Sequence, residues 1–336
     1  MPVITFQGAQ YTCHGNETVT DCLERHGVSV STSCRSGICQ TCMMRAITGQ
    51  PPHDAQKGLK PSLQDNNYFL PCVCTPTGDL TVALPGDEVL QRIPATVILK
   101  DHLNAGIIRL RLRPEQPFEF RAGQFINVCR EADGEVRSYS IASLPQYHEA
   151  IEIHVRRLPN GRVSTWLHDH VLPGERLLIE GPHGECCYVP DNRQRGLLLI
   201  GTGCGLSPLY GVLRDALDHG HAGPILLFHG SSSHNGLYLV NELRHLAEAH
   251  ANFRYIPCVS AEPARAGYAA GRAEQVALQS VKSLAGMRVY LCGHPDMVKD
   301  TKRKAFLAGA SLREIHADPF IITHKIPPAG EQATAG

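Results

Sequence analysis

The stretch CRSGICQTC at residues 34–42 decides how the N-terminal part of this chain must fold. It places Cys34, Cys39 and Cys42 in a C-x4-C-x2-C spacing, and Cys72 follows after 29 further residues. A short loop can direct three thiolates toward one centre only if its backbone wraps around that centre. Gly37 permits the positive φ that such wrapping requires. The fourth thiolate must come from elsewhere in the fold, so the pattern predicts a four-cysteine metal centre.

This spacing is the one found in plant-type [2Fe–2S] domains, whose cluster carries one electron at a time. Cys74 stands two residues beyond Cys72, so two cysteines compete for the fourth position. We favour Cys72, because it follows Leu70-Pro71 and precedes Val73, as the last ligand does in such domains. The alternatives are a zinc site or a set of buried apolar cysteines. Zinc motifs usually pair two C-x2-C units, and this segment contains only one.

The composition is that of an ordinary globular protein. The 336 residues include 43% hydrophobic residues and carry a formal net charge of zero, which predicts neither a nucleic-acid partner nor a membrane-surface partner. No apolar run approaches the roughly 20 residues of a membrane-spanning helix. The first residues, MPVITF, have the pattern of a strand and not of a signal peptide. Thirteen cysteines, an odd number, together with a thiolate-bound cluster predict reduced thiols and a cytoplasmic location. We expect the protein to be a monomer.

Residues 1–90 are predicted to form the iron–sulfur domain, with a β-grasp-like fold. Val3–Phe6 alternates as a strand, and Thr20–His26 suits a short helix that Gly27 stops at the C′ position. Asp79–Leu84 has the pattern of a closing strand. A linker is predicted from Gly86 to about Pro94.

Residues 94–192 are predicted to form a small antiparallel β-barrel. Ile107–Leu112, Gln124–Val128 and Ile151–Val155 alternate between apolar and polar residues, as half-buried antiparallel strands do. Glycine and proline punctuate the segments between them.

Residues 195–325 are predicted to form an open parallel sheet with helical crossovers, followed by a flexible tail at 326–336. Gly196–Ile200 is a continuous apolar run that suits a buried strand, and Leu206–His219 has helical periodicity. Strand and helix patterns then alternate as far as Ala308, which is the signature of βα units. The chain is therefore a multidomain protein of α+β and α/β classes.

A flavin site is indicated in the barrel by Arg137-Ser138-Tyr139-Ser140. A tyrosine ring can stack on a flavin, a hydroxyl can bind its N5 atom, and an arginine can clamp a phosphate. Gly161 and Ser164 follow at the start of a helical pattern, where free N–H groups can bind a phosphate. A tight turn at Gly181–Gly184 completes the series. The alternative for Tyr139 is an ordinary strand tyrosine.

A nucleotide site is indicated by GTGCGLSP at residues 201–208, between a buried strand and a helix. Gly201, Gly203 and Gly205 would let backbone N–H groups approach a pyrophosphate, and Pro208 suits a first helical turn. Cys292-Gly293 ends a later strand in the same arrangement and would face the nicotinamide. The alternatives are a plain strand–helix turn and a buried core cysteine.

Taken together, these motifs resemble the ferredoxin–NADP reductase superfamily, and within it the reductase components of bacterial multicomponent oxygenases. The resemblance runs from about Val3 to Phe320. It implies that Arg137, Tyr139 and Ser140 hold FAD, that Gly161 and Ser164 meet its pyrophosphate, and that Gly201, Gly203, Gly205, Pro208 and Gly293 bind NAD(P)H. It also places Tyr139, Ser140 and Cys292 at the hydride-transfer site, and Phe320 near the flavin. Cys204 departs from the threonine or alanine of relatives but keeps the small size.

The implied activity is electron transfer from NADH, through FAD and the [2Fe–2S] cluster, to a terminal oxygenase or another one-electron acceptor protein. Two alternatives use the same sequence features. One is a reductase that serves a sugar-nucleotide deoxygenating enzyme, and the other is a non-catalytic redox sensor. Intact motifs at all three sites argue against the sensor.

NADH is predicted to be the preferred electron donor, with NADPH as the alternative. The segment Ser231–Asn235, after the second strand of the nucleotide domain, contains no arginine or lysine for a 2′-phosphate, and none follows before Arg244. His234 could compensate in part when protonated.

The eighteen histidines raise the question of a second metal site, above all at His168-Asp169-His170. Neighbours at i and i+2 on a helix point apart, so this segment is predicted to be a solvated surface.

Overall fold

The computed structural model describes residues 1–59, 61–85, 92–146, 150–263 and 265–320. Most of the predicted linker and the whole predicted tail lie outside these residues. The chain divides into two compact units. One comprises Met1–Gln194 with Tyr210–Ala222, and the other comprises Arg195–Leu209 with the chain from Gly223 onward. In the part of the chain that is described, no helix is both long and apolar enough to cross a membrane.

The N-terminal domain is a five-stranded mixed sheet in the order β2-β1-β5-β3-β4. Its strands and helices are β1 (Val3–Phe6), β2 (Ala9–Thr12), α1 (Val19–Arg25), β3 (Met44–Thr48), α2 (Pro61–Asp65), β4 (Tyr68–Phe69) and β5 (Leu80–Ala83). The central pair β1–β5 is parallel, and its neighbours are antiparallel. This is the β-grasp-like arrangement that the sequence predicts.

Local signals explain helix α1. The Thr18 hydroxyl caps the helix by accepting a hydrogen bond from the Asp21 N–H at 3.2 Å. Gly27 ends it with a φ of +78° and donates its N–H to the Glu24 carbonyl at 2.9 Å. The helix buries Cys22 and Leu23 in the apolar core of the domain.

The middle domain is a six-stranded antiparallel sheet in the order β10-β7-β6-β11-β8-β9. Its elements are β6 (Ile93–Asn104), β7 (Ile107–Pro114), β8 (Phe125–Arg130), β9 (Glu135–Ser140), β10 (Ile151–Arg156), α3 (Arg162–Asp169) and β11 (Arg176–His183). A bridge between Ile141 and Ile153 brings the two edges together, which closes the sheet into the predicted barrel.

Three predictions about this domain are wrong in detail. The predicted tight turn at Gly181–Gly184 is not formed, because the chain from Gly181 to His183 belongs to strand β11. Strand β10 is not half-buried, because Glu152 and His154 are as buried as their apolar neighbours. His168 is not solvated either: it is buried, and its Nε2 lies 2.9 Å from the Val155 carbonyl. Polar partners inside the domain account for the burial of these side chains.

The C-terminal domain is an all-parallel sheet of six strands in the order β15-β14-β13-β12-β16-β17. Its elements are β12 (Leu197–Thr202), α4 (Leu206–Asp218), β13 (Ile225–Ser231), α5 (Val240–Ala249), β14 (Phe253–Val259), β15 (Ala269–Ala270), α6 (Ala273–Ser280), β16 (Arg288–Gly293), α7 (Pro295–Leu307) and β17 (Ile315–Pro319). Strand β12 is central and almost wholly buried, as its continuous apolar run predicts.

Candidate functional site

The four predicted cluster cysteines form two pairs, with three of them in the loop between α1 and β3 and Cys72 after β4. The Cys34 sulfur accepts hydrogen bonds from the N–H groups of Cys39, at 3.3 Å, and Ser36, at 3.5 Å. The Cys42 and Cys72 sulfurs lie 3.3 Å apart. The backbone N–H groups therefore point at sulfur, as they do in a loop that wraps a thiolate-bound cluster.

The backbone and the acidity of this loop fit a metal cluster. Arg35, Gly37 and Gln40 have positive φ values of 51°, 73° and 60°. Hydrogen bonds from Ser36 and from the Cys39 backbone lower the pKa of the Cys34 thiol to about 5. A thiol of this kind is a thiolate at neutral pH, which is the form that binds iron.

The surroundings of the two competing cysteines favour Cys72 as the fourth ligand. Cys72 belongs to a small cluster with Cys42, Leu59 and Leu70, next to the loop. Cys74 is completely buried in the separate core of the domain, and this burial raises the pKa of its thiol to about 12.

The flavin-site residues lie on the edge strand β9, which pairs with β8. Because side chains alternate along a strand, Arg137 and Tyr139 share one face. The ring of Tyr139 is half-buried against the barrel core, and Ser140 is buried. A tyrosine ring can stack on a flavin, so this position of Tyr139 is compatible with the predicted flavin site.

Glu135, which the sequence reasoning missed, organises the charges at this edge. Its two carboxylate oxygens accept hydrogen bonds from Arg137, at 2.8 Å, and from Arg162, at 2.9 Å. A second bond holds Arg162 to Asp133 at 2.7 Å. Two guanidinium groups are thus fixed beside the N-terminus of α3, an arrangement that suits a pyrophosphate.

The turn before α3 requires glycine. Gly161 is the N-cap residue, and a Cβ there would collide with the Ser164 hydroxyl. That hydroxyl accepts a hydrogen bond from the Leu158 N–H at 3.2 Å, which fixes the turn. The N–H groups of the first helical turn have no intrahelical partner and can serve an anion.

The Gly-rich turn after β12 packs tightly against the end of β16. Gly203 has a φ of +54°, and a Cβ at Gly205 would collide with the Cys292 carbonyl. Gly293 has a φ of +130°, and a Cβ there would collide with Thr202. This close packing keeps the turn free of side chains where a pyrophosphate must approach. Pro208 lies in the first turn of α4, as predicted.

Cys292 and Phe320 are joined through Gly293. Strand β16 places Cys292 beside Gly201, and the Phe320 N–H donates to the Gly293 carbonyl at 2.8 Å. The side chain of Cys292 is completely buried, so it does not face an open crevice in this structure. Its role in hydride transfer stays a prediction.

A second residue that the sequence reasoning missed is His229, which lies beside Gly201 in the neighbouring strand β13. It is completely buried, its Nδ1 lies 3.2 Å from the Tyr255 hydroxyl, and burial lowers its pKa to about 3. A neutral imidazole therefore supports the strand that carries the Gly-rich turn. The sequence signal that could have indicated His229 is its position, next to Gly230, at the end of a strand.

Three sites that suit a [2Fe–2S] cluster, FAD and NAD(H) in one chain define a class of protein, the NAD(P)H-dependent flavin and iron–sulfur reductases. Family matches divide the chain in the same way. Residues 4–77 match the 2Fe-2S iron-sulfur cluster binding domain, residues 95–188 the oxidoreductase FAD-binding domain, and residues 199–303 the oxidoreductase NAD-binding domain.

Whole-chain similarities are equally consistent. The chain is 34% identical over 303 residues to the ferredoxin–NAD(P)+ reductase component of a naphthalene 1,2-dioxygenase system from Pseudomonas putida, covering 89% of this chain and 92% of the relative. It is 30% identical over 327 residues to the reductase subunit of an Amycolatopsis aromatic O-demethylase, covering 94% and 98%. The crystal structure of an Amycolatopsis cytochrome P450 reductase aligns with a TM-score of 0.68 at 29% identity, covering 95% of this chain and 99% of that one.

The chain belongs to the ferredoxin–NAD(P)+ reductase family, in the group of oxygenase reductase components with an N-terminal 2Fe-2S domain. The predicted superfamily, the three domain folds and the three cofactors are confirmed.

Proposed function

We propose that this chain takes electrons from NADH and delivers them singly, through its iron–sulfur domain, to a terminal oxygenase. The observation that carries the proposal is the direct joining of the iron–sulfur and flavin domains within one compact unit. Arg121 of the flavin domain binds Asp65 at 2.9 Å, and the Gln124 amide donates to the Asn66 side chain at 3.2 Å. These two contacts hold the domain that carries the four-cysteine loop against the flavin domain.

The cofactor roles follow from the residues that hold them. When bound, FAD converts a two-electron hydride into single electrons, and the [2Fe–2S] cluster carries them one at a time. The cluster ligands are Cys34, Cys39, Cys42 and Cys72; the FAD residues are Arg137, Tyr139, Ser140, Gly161 and Ser164; the NADH residues are Gly201, Gly203, Gly205, Pro208 and Gly293, with Cys292 and Phe320 lining the nicotinamide. The protein's contribution is to bind, orient and shield these groups.

The domain boundaries are proposed at residues 1–90, 94–192 and 195–325, with a tail at 326–336. These bounds extend each family match slightly at its ends.

The partner is proposed to be an oxygenase, because two relatives are named as reductases of a naphthalene 1,2-dioxygenase system and of an aromatic O-demethylase. The chain covers 92% and 98% of the length of these two relatives. We propose that it acts as a cytoplasmic monomer. Neither of these two relatives is named as the reductase of a sugar-nucleotide deoxygenating enzyme, which was the alternative partner.

Cofactor analysis and turnover test this function together. Purified protein is expected to contain two irons, two sulfides and one FAD per chain, and to reduce cytochrome c with NADH. Zinc in place of iron, four irons, or the absence of NADH-dependent cytochrome c reduction would contradict the proposal.

A further inference from the structure

A pair of thiols lies in the core of the iron–sulfur domain, apart from the four proposed cluster ligands. Cys13 directly follows strand β2, and Cys22 lies in helix α1. Their side chains are buried, with exposed fractions of 1% and 0%, and both are free cysteines. The two sulfur atoms and a carboxylate oxygen of Glu17 all lie within 4.8 Å of one another. Two unlinked thiols are thus within reach of each other.

The surroundings of this pair suit disulfide chemistry better than the binding of a cation. The oxygens of Glu17 already accept hydrogen bonds from the Arg25 guanidinium, at 2.7 and 3.0 Å, and from the His14 N–H, at 2.9 Å. A metal would also need thiolates. Burial, and then the contact with Cys22, raise the pKa of the Cys13 thiol, and burial raises the pKa of the Cys22 thiol as well. The carboxylate is therefore paired, and both sulfurs stay protonated at neutral pH.

The position of Cys13 next to a sheet edge gives a small oxidant a way in. Strand β2 is an edge strand of the described sheet, and three of its four residues are exposed. The Cys13 N–H is held by the carbonyl of Pro2, close to the chain terminus, at 2.9 Å. Edge strands near a terminus open locally at a lower free-energy cost than the core. Such an opening would bring the Cys13 thiol into water, where it can ionise, while helix α1 stays folded.

Helix α1 connects the thiol pair to the cluster loop, residues 34–42. Arg35, which follows the cluster ligand Cys34, donates to the Glu24 carboxylate at 2.6 Å and lies 3.6 Å from Asp21. Both acids belong to the same seven-residue helix as Cys22. A displacement of α1 at Cys22 therefore moves the two carboxylates that hold the cluster loop.

We infer that Cys13 and Cys22 form a reversible disulfide site, and that the disulfide slows electron delivery through the cluster. The oxidant is a small disulfide such as oxidised glutathione. The Cys13 thiolate attacks one of its sulfurs, which forms a mixed disulfide and releases one glutathione thiolate. Cys22 then attacks the Cys13 sulfur and releases the second glutathione thiolate. The two protein thiols lose two electrons to the glutathione disulfide, and their two protons go to the two glutathione thiolates.

The geometry of a disulfide gives the link its effect on the cluster loop. The two sulfurs of a disulfide lie about 2.05 Å apart, so forming the bond draws α1 and the end of β2 toward each other. The carboxylates of Asp21 and Glu24 move with the helix, and Arg35 loses its position beside Cys34. The flavin and nucleotide sites lie in other domains and are left as they were. The inference goes beyond the proposed function and uses it only for an activity measurement.

The link itself can be detected by mass spectrometry of the full-length holoprotein. The protein is incubated with oxidised glutathione, alkylated, and digested with trypsin, which yields a peptide of residues 1–25 with Cys13 and Cys22 as its two cysteines. This peptide is expected to escape alkylation and to be lighter than the reduced peptide by two hydrogens, and a small thiol should reverse both changes. Cys13→Ser should prevent the link. Cys74→Ala, which removes another completely buried cysteine of the same core, should not prevent it.

Activity measurements on the same samples test the effect of the link. Cytochrome c reduction with NADH is expected to fall about fivefold in the oxidised wild type and to recover with a small thiol, while ferricyanide reduction stays the same. Cys13→Ser treated in the same way should keep its rate. A peptide without the link, a link to another cysteine, or a link that leaves cytochrome c reduction unchanged would overturn the inference. The reduced protein tests the proposed function separately, because its cytochrome c activity does not depend on the link.

Discussion

At the scale of single residues, the flavin site depends on how its charges are paired. Arg137 was predicted to clamp a phosphate, and the structure shows that Glu135 already holds its guanidinium at 2.8 Å. The same carboxylate holds Arg162. Glu135 is buried, so it lowers the cost of keeping two cations close together before an anion arrives. This pairing supports the proposal that Arg137 is oriented in advance for a phosphate of FAD.

Replacing Arg137 by alanine is expected to weaken FAD binding about tenfold or more, because one charge-assisted hydrogen bond to phosphate is lost. The dissociation constant can be measured by titrating FAD-stripped protein and following flavin fluorescence. Arg113→Ala is a matched control, since Arg113 is exposed on strand β7 of the same domain. FAD binding of Arg137→Ala that equals the control would remove Arg137 from the site.

The residues that could be predicted are those whose spacing is local. The first three cluster cysteines, the Arg137–Ser140 motif and the Gly-rich turn each carry their chemistry in a short stretch of chain. Glu135 could have been found, because it lies two residues before Arg137 and so shares its face of the strand. The contact between His229 and Tyr255 could not, because it depends on the pairing of β13 with β14.

At the scale of elements, the prediction of strands and helices was accurate where burial follows a simple period. The prediction that strand β10 is half-buried was wrong, because the polar residues of its alternating pattern belong to a buried ion cluster. Glu152 accepts from Arg111 at 2.9 Å and lies 3.5 Å from Arg109, and His154 Nε2 lies 3.1 Å from the same carboxylate. Strand β7 supplies both arginines. Pairing between distant strands, which the sequence pattern does not contain, therefore buried two polar side chains.

The ionisation of this cluster can be assigned. Burial by itself raises the pKa of Glu152, but the hydrogen bond from His154 and the charges of Arg109 and Arg111 outweigh it and lower the pKa to about 2. Burial lowers the pKa of His154, which is therefore neutral at neutral pH. The two arginines are the counter-charges of the carboxylate.

Replacing Glu152 by glutamine should destabilise the flavin domain at pH 7 by about 2 kcal/mol or more, because two partly buried arginines lose their counter-charge. A carboxyl group with a lowered native pKa stabilises the fold above its unfolded pKa, and this stabilisation is lost as the pH falls toward the native value. The difference between variant and wild type should therefore shrink between about pH 4.5 and pH 2.

The midpoint of thermal FAD release, measured across this pH range, checks the prediction. Glu115→Gln is the control, because Glu115 pairs with Arg176 on the surface of the same domain and should contribute little. A stability difference for Glu152→Gln that stays constant down to pH 2 would contradict the assignment.

At the scale of the whole molecule, the route of the electrons depends on how the iron–sulfur and flavin domains are held together. The order of the domains could be predicted from three motifs, because each motif belongs to one domain. The contacts between the domains could not be predicted, because Arg121, Asp65 and Asn66 belong to none of these motifs. Arg121 binds both Asp65 and the Tyr188 carbonyl, so it links the iron–sulfur domain to the end of the barrel.

Arg121→Gln is expected to slow NADH-dependent cytochrome c reduction about threefold or more, because the two domains lose a fixed orientation. Reduction of ferricyanide, which needs only the flavin and NADH sites, should be unchanged. Arg176→Gln removes a similar surface ion pair that does not join domains, and both activities should survive it. Equal loss of the two activities in Arg121→Gln would point to damage of the flavin site instead.

The central claim is that electrons leave this protein through its iron–sulfur cluster, and Cys39→Ser tests it most directly. A serine hydroxyl is a poor iron ligand compared with a thiolate, so the variant should lose its cluster and keep FAD and NADH binding. Cys74→Ala, which removes a cysteine of the domain core that is not one of the four proposed ligands, should keep the cluster. NADH-dependent ferricyanide reduction by Cys39→Ser is expected to continue, and cytochrome c reduction to fall steeply. Full cytochrome c activity without the cluster would show that the flavin donates directly and that the iron–sulfur domain is a docking module.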